Sequence, residues 1–270
     1  METDCTSDES PADGSVITPL PTGTRLLHIG PHKTGTTSIQ GFLRDENDGL
    51  LAASGCRYPE GFLLPTVHTD LPLLAIRPER SWPARLRFPE TARSSWRDAA
   101  WSHIRRQVTD ADVEQLVYVH EDLSYVRFDD ELERLCELFD GPTVSVVAVF
   151  RNDADFLRSY RSQLEGTGFA ESDDPASFAY VEPDSWLLDH DALLDGYRRW
   201  FGADQVTSLD YDALVEADGT VIPAFAELLD LDRACLPPLD RYRFNPTGSH
   251  IRLPEDQLRA IRRDLVRRFP

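Results

Sequence analysis

Seven residues, Val144-Ser145-Val146-Val147-Ala148-Val149-Phe150, run without a charge and stop abruptly at Arg151-Asn152-Asp153. Such a run does not alternate between apolar and polar residues. It therefore reads as a strand covered on both faces, the pattern of a central strand in a parallel sheet. It is far too short to span a bilayer, which needs about 20 apolar residues. Arg25-Leu26-Leu27-His28-Ile29 and Leu116-Val117-Tyr118-Val119-His120 read the same way, and each also leads into a polar turn. Parallel strands need long crossovers, usually helices. The expected fold class is thus α/β: a mostly parallel sheet flanked by helices on both faces. At 270 residues and 41% hydrophobic content, the chain has enough apolar material for one such domain. Residues 1–23 are polar, acidic and rich in Pro, Ser, Thr and Gly, so a disordered tail is expected there, with the domain over 24–270.

The turn after the first strand carries the only lysine, Lys33, among 28 Lys and Arg residues. It sits in Gly30-Pro31-His32-Lys33-Thr34-Gly35-Thr36-Thr37-Ser38. Lys is a compact charge on a flexible stem and Arg a planar fork, so one ammonium suits a tight loop around an anion. Ile39, Phe42 and Leu43 then fall on one helical face, which predicts a helix from about Thr36 with Thr36 or Thr37 as its N-cap. Strand, tight turn and helix N-terminus converge unpaired N–H groups and the positive end of the helix dipole on one point. The order differs from a Walker A loop, in which Lys follows the second glycine. Here Lys33 precedes Gly35.

Lys-Thr-Gly-Thr-Thr resembles the phosphosulfate-binding loop of sulfotransferases, P-loop-like α/β enzymes that use 3′-phosphoadenosine 5′-phosphosulfate (PAPS). The longer string through Ser38 and Gln40 is most similar to the bacterial, carbohydrate-type branch. The resemblance implies that Pro31, His32, Lys33, Thr34, Gly35, Thr36, Thr37 and Ser38 line the 5′-phosphosulfate, with Lys33 also catalytic. It implies further that Arg151 and Ser159, eight residues apart after the Val144–Phe150 strand, bind the 3′-phosphate. Asp153 stands where the family usually has Pro. Arg offers a two-pronged phosphate donor, and Ser159 lies about two helical turns on. A competing reading pairs Arg151 with Asp153 or Asp155.

Ligands of open α/β sheets bind beyond the carboxyl ends of the strands. His120, Glu121 and Asp122 follow the strand ending at His120 and so belong near Lys33. The resemblance implies a base that deprotonates the acceptor hydroxyl; Glu121 is the first candidate, His120 the second and His32 the third. A simple helix-capping role for Glu121-Asp122 is the alternative. Gly196–Asp212 is similar to a late helix-strand-Tyr-acid stretch of the family. Arg241-Tyr242-Arg243 through His250 resembles a loop that closes over the nucleotide, which makes Arg241 and Arg243 further candidates for the 3′-phosphate.

The expected activity is sulfuryl transfer from PAPS to a hydroxyl of a small-molecule, carbohydrate or lipid acceptor, with no metal. Two other classes fit parts of the pattern: a P-loop kinase or NTPase using ATP and Mg²⁺, and a catalytically inactive nucleotide-binding protein. A net charge of −19 opposes nucleic-acid binding. The N-terminus lacks the basic and apolar regions of a signal peptide, which with the absence of a membrane-length apolar run gives a cytoplasmic expectation. The four Cys are widely spaced and the seven His show no ligand spacing, so no metal site is expected. Residues 77–106 depart from the acidic average: eight Arg face Glu79, Glu90 and Asp98, interleaved with Trp82, Phe88, Trp96 and Trp101. One reading makes this an acceptor-side insertion; the other makes it amphipathic helices with Trp inward and Arg outward.

Overall fold

The computed structural model describes residues 17–243 and 253–269. Five strands, β1 (Arg25–His28), β2 (Cys56–Arg57), β3 (Gln115–Val119), β4 (Val144–Phe150) and β5 (Val206–Asp210), form one sheet in the order β2-β3-β1-β4-β5. Every pairing is parallel. The chain is therefore an α/β protein, and the sheet is fully parallel among the described residues. Ten helices accompany it there: α1 (Thr36–Asp45), α2 (Asp70–Ala75), α3 (Pro83–Arg87), α4 (Ser94–Val108), α5 (Asp129–Leu138), α6 (Asp153–Thr167), α7 (His190–Phe201), α8 (Tyr211–Asp218), α9 (Ile222–Leu228) and α10 (Glu255–Arg268).

Side-chain alternation along each strand feeds two cores. Leu27, Tyr118, Val146 and Ala148 pack on one face with α2, α4, α5, α6 and α7. Leu26, Val117, Val119, Val147 and Val149 pack on the other with α1 and α9. Both faces being covered explains why β4 has almost no polar residue. Ile17 and Leu20, which fall in the stretch expected to be a tail, pack against the second core, and Leu20 N–H donates to Leu228 O at 2.9 Å.

The Arg-rich segment is built into the first core. Trp82 and Trp96 are buried. Arg85 donates to Leu73 O and Thr91 Oγ1 at 2.9 Å, and Arg97 to Leu73 O and Leu74 O at 2.8 and 2.7 Å. Arg134 donates to Ala75 O at 3.0 Å. These guanidinium groups satisfy the last carbonyls of α2, which the helix itself leaves unpaired. Arg77 grips Asp130, and Arg80 meets the fully buried Glu131 at 2.6 Å. Arg93 and Arg105 likewise reach backbone carbonyls. Most of these Arg side chains thus hold the fold together through contacts within the chain.

Asp70, at the start of α2, is completely buried and accepts Phe62 N–H at 3.0 Å. Burial pushes its carboxyl from an ordinary 3.8 up to about 6, against the lowering effect of backbone N–H donors. A carboxyl raised in the fold favours the protonated state there. Its contribution is present at low pH and is lost as pH rises from about 4 to about 6, on the order of 2–3 kcal/mol. Asp70→Asn keeps the acceptor oxygen and removes the titration. The variant is expected to melt higher than the parent at pH 7 and to match it near pH 4. Equal melting differences at both pH values in thermal scans would refute this.

Candidate functional site

The loops leaving β1, β3 and β4 lie side by side because those strands are neighbours in the sheet. Gly30 starts the first loop where a Cβ would meet Val149 N at 3.0 Å and Val149 O at 3.1 Å. Only glycine fits against that backbone. Thr34 is fully buried and donates to Pro31 O at 2.7 Å, closing the turn on itself. Lys33 adopts φ 69, a left-handed conformation that costs a non-glycine residue about 1–2 kcal/mol. Such strain collects at ligand clamps. Gly35 follows at φ 84, and a Cβ there would press on Val221 Cγ2 at 2.7 Å.

Helix α1 begins at Thr36 as expected, but its N-cap is Gly35, with no side-chain acceptor for the first turn. Neither Thr36 nor Thr37 caps it, because the left-handed Gly35 turns the chain directly into the helix. The first-turn N–H groups are therefore presented without a capping carboxylate or hydroxyl. Thr36 Oγ1 is buried with no hydrogen-bond partner among the described residues. Ser38 N–H donates to Gly35 O at 2.9 Å. Glycine cradle, orphaned hydroxyl, helix N-terminus and ammonium form a donor set that fits a tetrahedral oxyanion.

Lys33 is half-buried, and its ammonium is held below its ordinary value by desolvation, with Glu121 opposing that shift and Arg151 adding to it. Charges from the loops after β3 and β4 therefore both act on the ammonium of the loop after β1. Arg151 Nη1 donates to Ser159 Oγ at 3.2 Å across two turns of α6. Asp155 and Asp212 each stand 3.8 Å from the guanidinium, and its carbon lies 5.3 Å from the Tyr211 ring centre. Asp212 also accepts Asn152 N–H at 3.0 Å, fixing the turn after β4. Asn152 in turn caps α6 through Ala154 and Asp155 N–H. Asp155 pairs with Arg151 as one sequence reading allowed, yet the same guanidinium still reaches Ser159.

The three candidate bases differ sharply in surroundings. His120 is buried; its Nδ1 accepts Asp122 N–H at 3.1 Å and its Nε2 lies 3.1 Å from Thr69 Oγ1. Both nitrogens are engaged within the protein, so His120 organises the turn. His32 is also buried, with Nε2 2.9 Å from Asp122 Oδ1 and Nδ1 2.9 Å from Gln163 Nε2. Burial would raise the Asp122 carboxyl, but contact with His32, aided by His120, holds it below the ordinary carboxylate range. Glu121 keeps 28% of its side chain accessible, 3.9 Å from His32 Nδ1. It is the candidate whose carboxylate remains open to an incoming hydroxyl.

Arg241 and Arg243 are not drawn into this cluster. Arg241 pairs with Glu46 at the far end of α1, about 15 Å from the loop by helical rise. Arg243 ends beside Gly219, close to where Val221 closes on Gly35. The remainder of the expected closing loop, residues 244–250, lies outside the described residues. Sequence reasoning missed Gln163, which sits four residues past Ser159 on the same face of α6 and was open to discovery by helical spacing. It also passed over Asp212, quoted only as part of a fold-level stretch.

No protein-family model matches the chain, and no curated protein matches it. Among solved structures, one it resembles is a sulfotransferase from Alicyclobacillus acidocaldarius. That likeness has 13% identity, spans 93% of this chain and 94% of that one, and has a TM-score of 0.47. No helix among the described residues is long and apolar enough to cross a membrane.

Proposed function

We propose that the chain is a PAPS-dependent sulfotransferase that acts on a hydroxyl acceptor. The observation that carries this reading is the Arg151–Ser159 pair, 3.2 Å apart, set one strand over from the Lys33 loop. An ATP-using enzyme has no call for a second phosphate clamp beside the first, because ATP lacks a 3′-phosphate.

In this reading the first-turn N–H groups of α1, Thr36 and Thr37 hold the 5′-phosphosulfate, and Arg151 and Ser159 hold the 3′-phosphate. PAPS supplies an activated sulfuryl group and a stable leaving diphosphate. Glu121 takes the proton of the acceptor hydroxyl as its oxygen attacks sulfur. A new S–O bond forms to the acceptor while the bond from sulfur to the bridging oxygen breaks. Lys33 neutralises the charge that builds on that bridging oxygen. As in phosphoryl transfer, charge spreads over equatorial oxygens, so positioning and electrostatics dominate. Asp122, through His32, fixes the loop on which Lys33 stands. Asp155 and Asp212 keep Arg151 aimed, and they weaken any anion bound there that does not match its fork.

Calorimetric titration with 3′-phosphoadenosine 5′-phosphate, without metal, tests the reading. Binding is expected to be at least tenfold tighter than that of ADP, and Arg151→Ala is expected to erase most of that preference. Indifference to the 3′-phosphate, with tighter binding of ATP and Mg²⁺, would replace the sulfotransferase by a kinase or NTPase.

A further inference from the structure

His32 is buried in the loop that carries Lys33, and its neighbours suit two protonation states. Its Nδ1 lies 2.9 Å from Gln163 Nε2. An amide nitrogen only donates, so Nδ1 accepts there and the ring proton sits on Nε2. Nε2 faces Asp122 Oδ1 at 2.9 Å. That contact lies out of line for a full hydrogen bond, and neither atom has a hydrogen-bond partner among the described residues. A neutral N–H loses much of its value when misaligned, whereas a charge contact depends on distance. The pair therefore gains most when the ring is an imidazolium. Burial works to raise the Asp122 carboxyl, yet contact with His32, helped by His120 and Arg87, holds it below its ordinary range. The counter-charge is already in place.

Gln163 completes the arrangement. One amide carries both donor and acceptor. A half turn about its last bond exchanges Nε2 for Oε1, which then accepts a proton on Nδ1. His32 can thus be neutral or charged without stranding a polar atom. Tyr125 and Tyr160 enclose the ring, their centres 5.6 and 5.4 Å away, with their hydroxyls bonded to each other at 2.6 Å. The other titratable neighbours are Lys33, next in the chain, and Glu121, whose Oε1 is 3.9 Å from Nδ1.

Resting on the sulfotransferase reading, we infer that His32 is the second stop for the acceptor's proton, which Glu121 hands to Nδ1, and that Asp122 and Gln163 are the positioning residues of this relay. In that step the O–H bond of protonated Glu121 breaks and an N–H bond forms on Nδ1. The Glu121 carboxylate is restored, and Asp122 balances the imidazolium. Positive charge then appears in the loop proposed to hold the departing 5′-phosphate, as negative charge builds there. The proton returns to solvent through Glu121 once the nucleotide leaves.

3′-Phosphoadenosine 5′-phosphate, the leaving nucleotide of the proposed reaction, reproduces that charge without an acceptor. It is titrated into the full chain at about pH 7.5, where an ordinary imidazole is mostly neutral. Calorimetry in buffers of different ionisation enthalpy counts the protons taken up, with roughly half a proton or more expected per nucleotide bound. Nitrogen spectra of the histidine-labelled chain are expected to show His32 passing from Nε2–H alone to protons on both nitrogens. His32 is assigned through the amide of Lys33, the only lysine, so no substitution is needed. His32→Asn and Asp122→Asn are expected to abolish the uptake. Gln163→Glu is expected to abolish it by the opposite route, with both nitrogens protonated before nucleotide is added. Glu121→Gln is expected to leave the uptake intact but slow exchange of the Nδ1 proton with solvent at least tenfold. A merely structural His32 would move neither proton count nor exchange rate. Preference for this nucleotide over ADP is scored separately and bears on the sulfotransferase reading. Binding without proton uptake, a parent ring unchanged by nucleotide, uptake that persists in His32→Asn, or unaltered exchange in Glu121→Gln would overturn the relay. The parent measurements decide the matter even where a variant does not fold.

Discussion

Lys33→Ala is expected to lower sulfuryl transfer by about two to three orders of magnitude, the usual cost of removing one preorganised donor to developing charge. The loop otherwise survives the change, since Thr34, Gly30 and Gly35 set its course through contacts that do not involve the lysine. Lys33→Arg is not expected to rescue the rate, because a planar fork cannot take the place of a compact ammonium at one oxygen. Lys33→Gly separates function from stability. Glycine relieves the left-handed strain at φ 69 but adds chain entropy to the unfolded state. The balance is a gain of up to about 1 kcal/mol, or roughly 2 °C in Tm for a chain of this size. Turnover assays and thermal melts read both effects. Near-parental turnover in Lys33→Ala would remove this residue from the mechanism, and a lower Tm in Lys33→Gly would mean that the loop needs its side chain to hold shape.

A second large effect is expected far from the chemistry. Glu131 has no exposure and relies on Arg80 at 2.6 Å, with Arg77 and Arg127 N–H groups at 3.0 and 3.2 Å. Arg80→Ala strands that carboxylate in the core, a change worth about 3–5 kcal/mol for a buried pair broken on one side. Arg80 is partly exposed and two N–H donors remain, so the lower end applies, about 3 kcal/mol and roughly 6–10 °C in Tm. Glu131→Gln is expected to cost less than half as much, because it leaves no buried charge and Arg80 keeps Tyr125 O at 3.0 Å. A smaller loss for Arg80→Ala than for Glu131→Gln in denaturant unfolding would show that the carboxylate is not what the fold depends on here.

The sheet was legible because the physics behind it is local. β4 occupies the residues read as an uncharged run, and its abrupt end places Arg151 at the carboxyl edge. Helix α1 starts where its apolar period starts. The Arg151–Ser159 pair was named through the family resemblance, and a spacing of about two helical turns allows the contact. What escaped depended on contacts between distant segments. Whether Arg97 faces a ligand or the end of α2 cannot be decided from Trp and Arg spacing, because both outcomes bury the aromatic and extend the cation. The ordering of the bases turned on partners 51 and 131 residues away, Thr69 for His120 and Gln163 for His32. The expected Thr cap failed for a different reason: glycine at positive φ can open a helix without any side chain, and sequence preference points to the hydroxyl.

Using guanidinium for every other positive side chain, with so many of them turned onto backbone carbonyls, has a consequence for chemical labelling. The chain offers one side-chain amine to an acylating reagent, and desolvation makes that amine easier to deprotonate than an ordinary lysine. A single mass shift on a peptide containing Lys33 then reports how accessible that one amine is, in a mixture and without an acceptor in hand. The protein carries its own chemical reporter on the loop that follows its first strand.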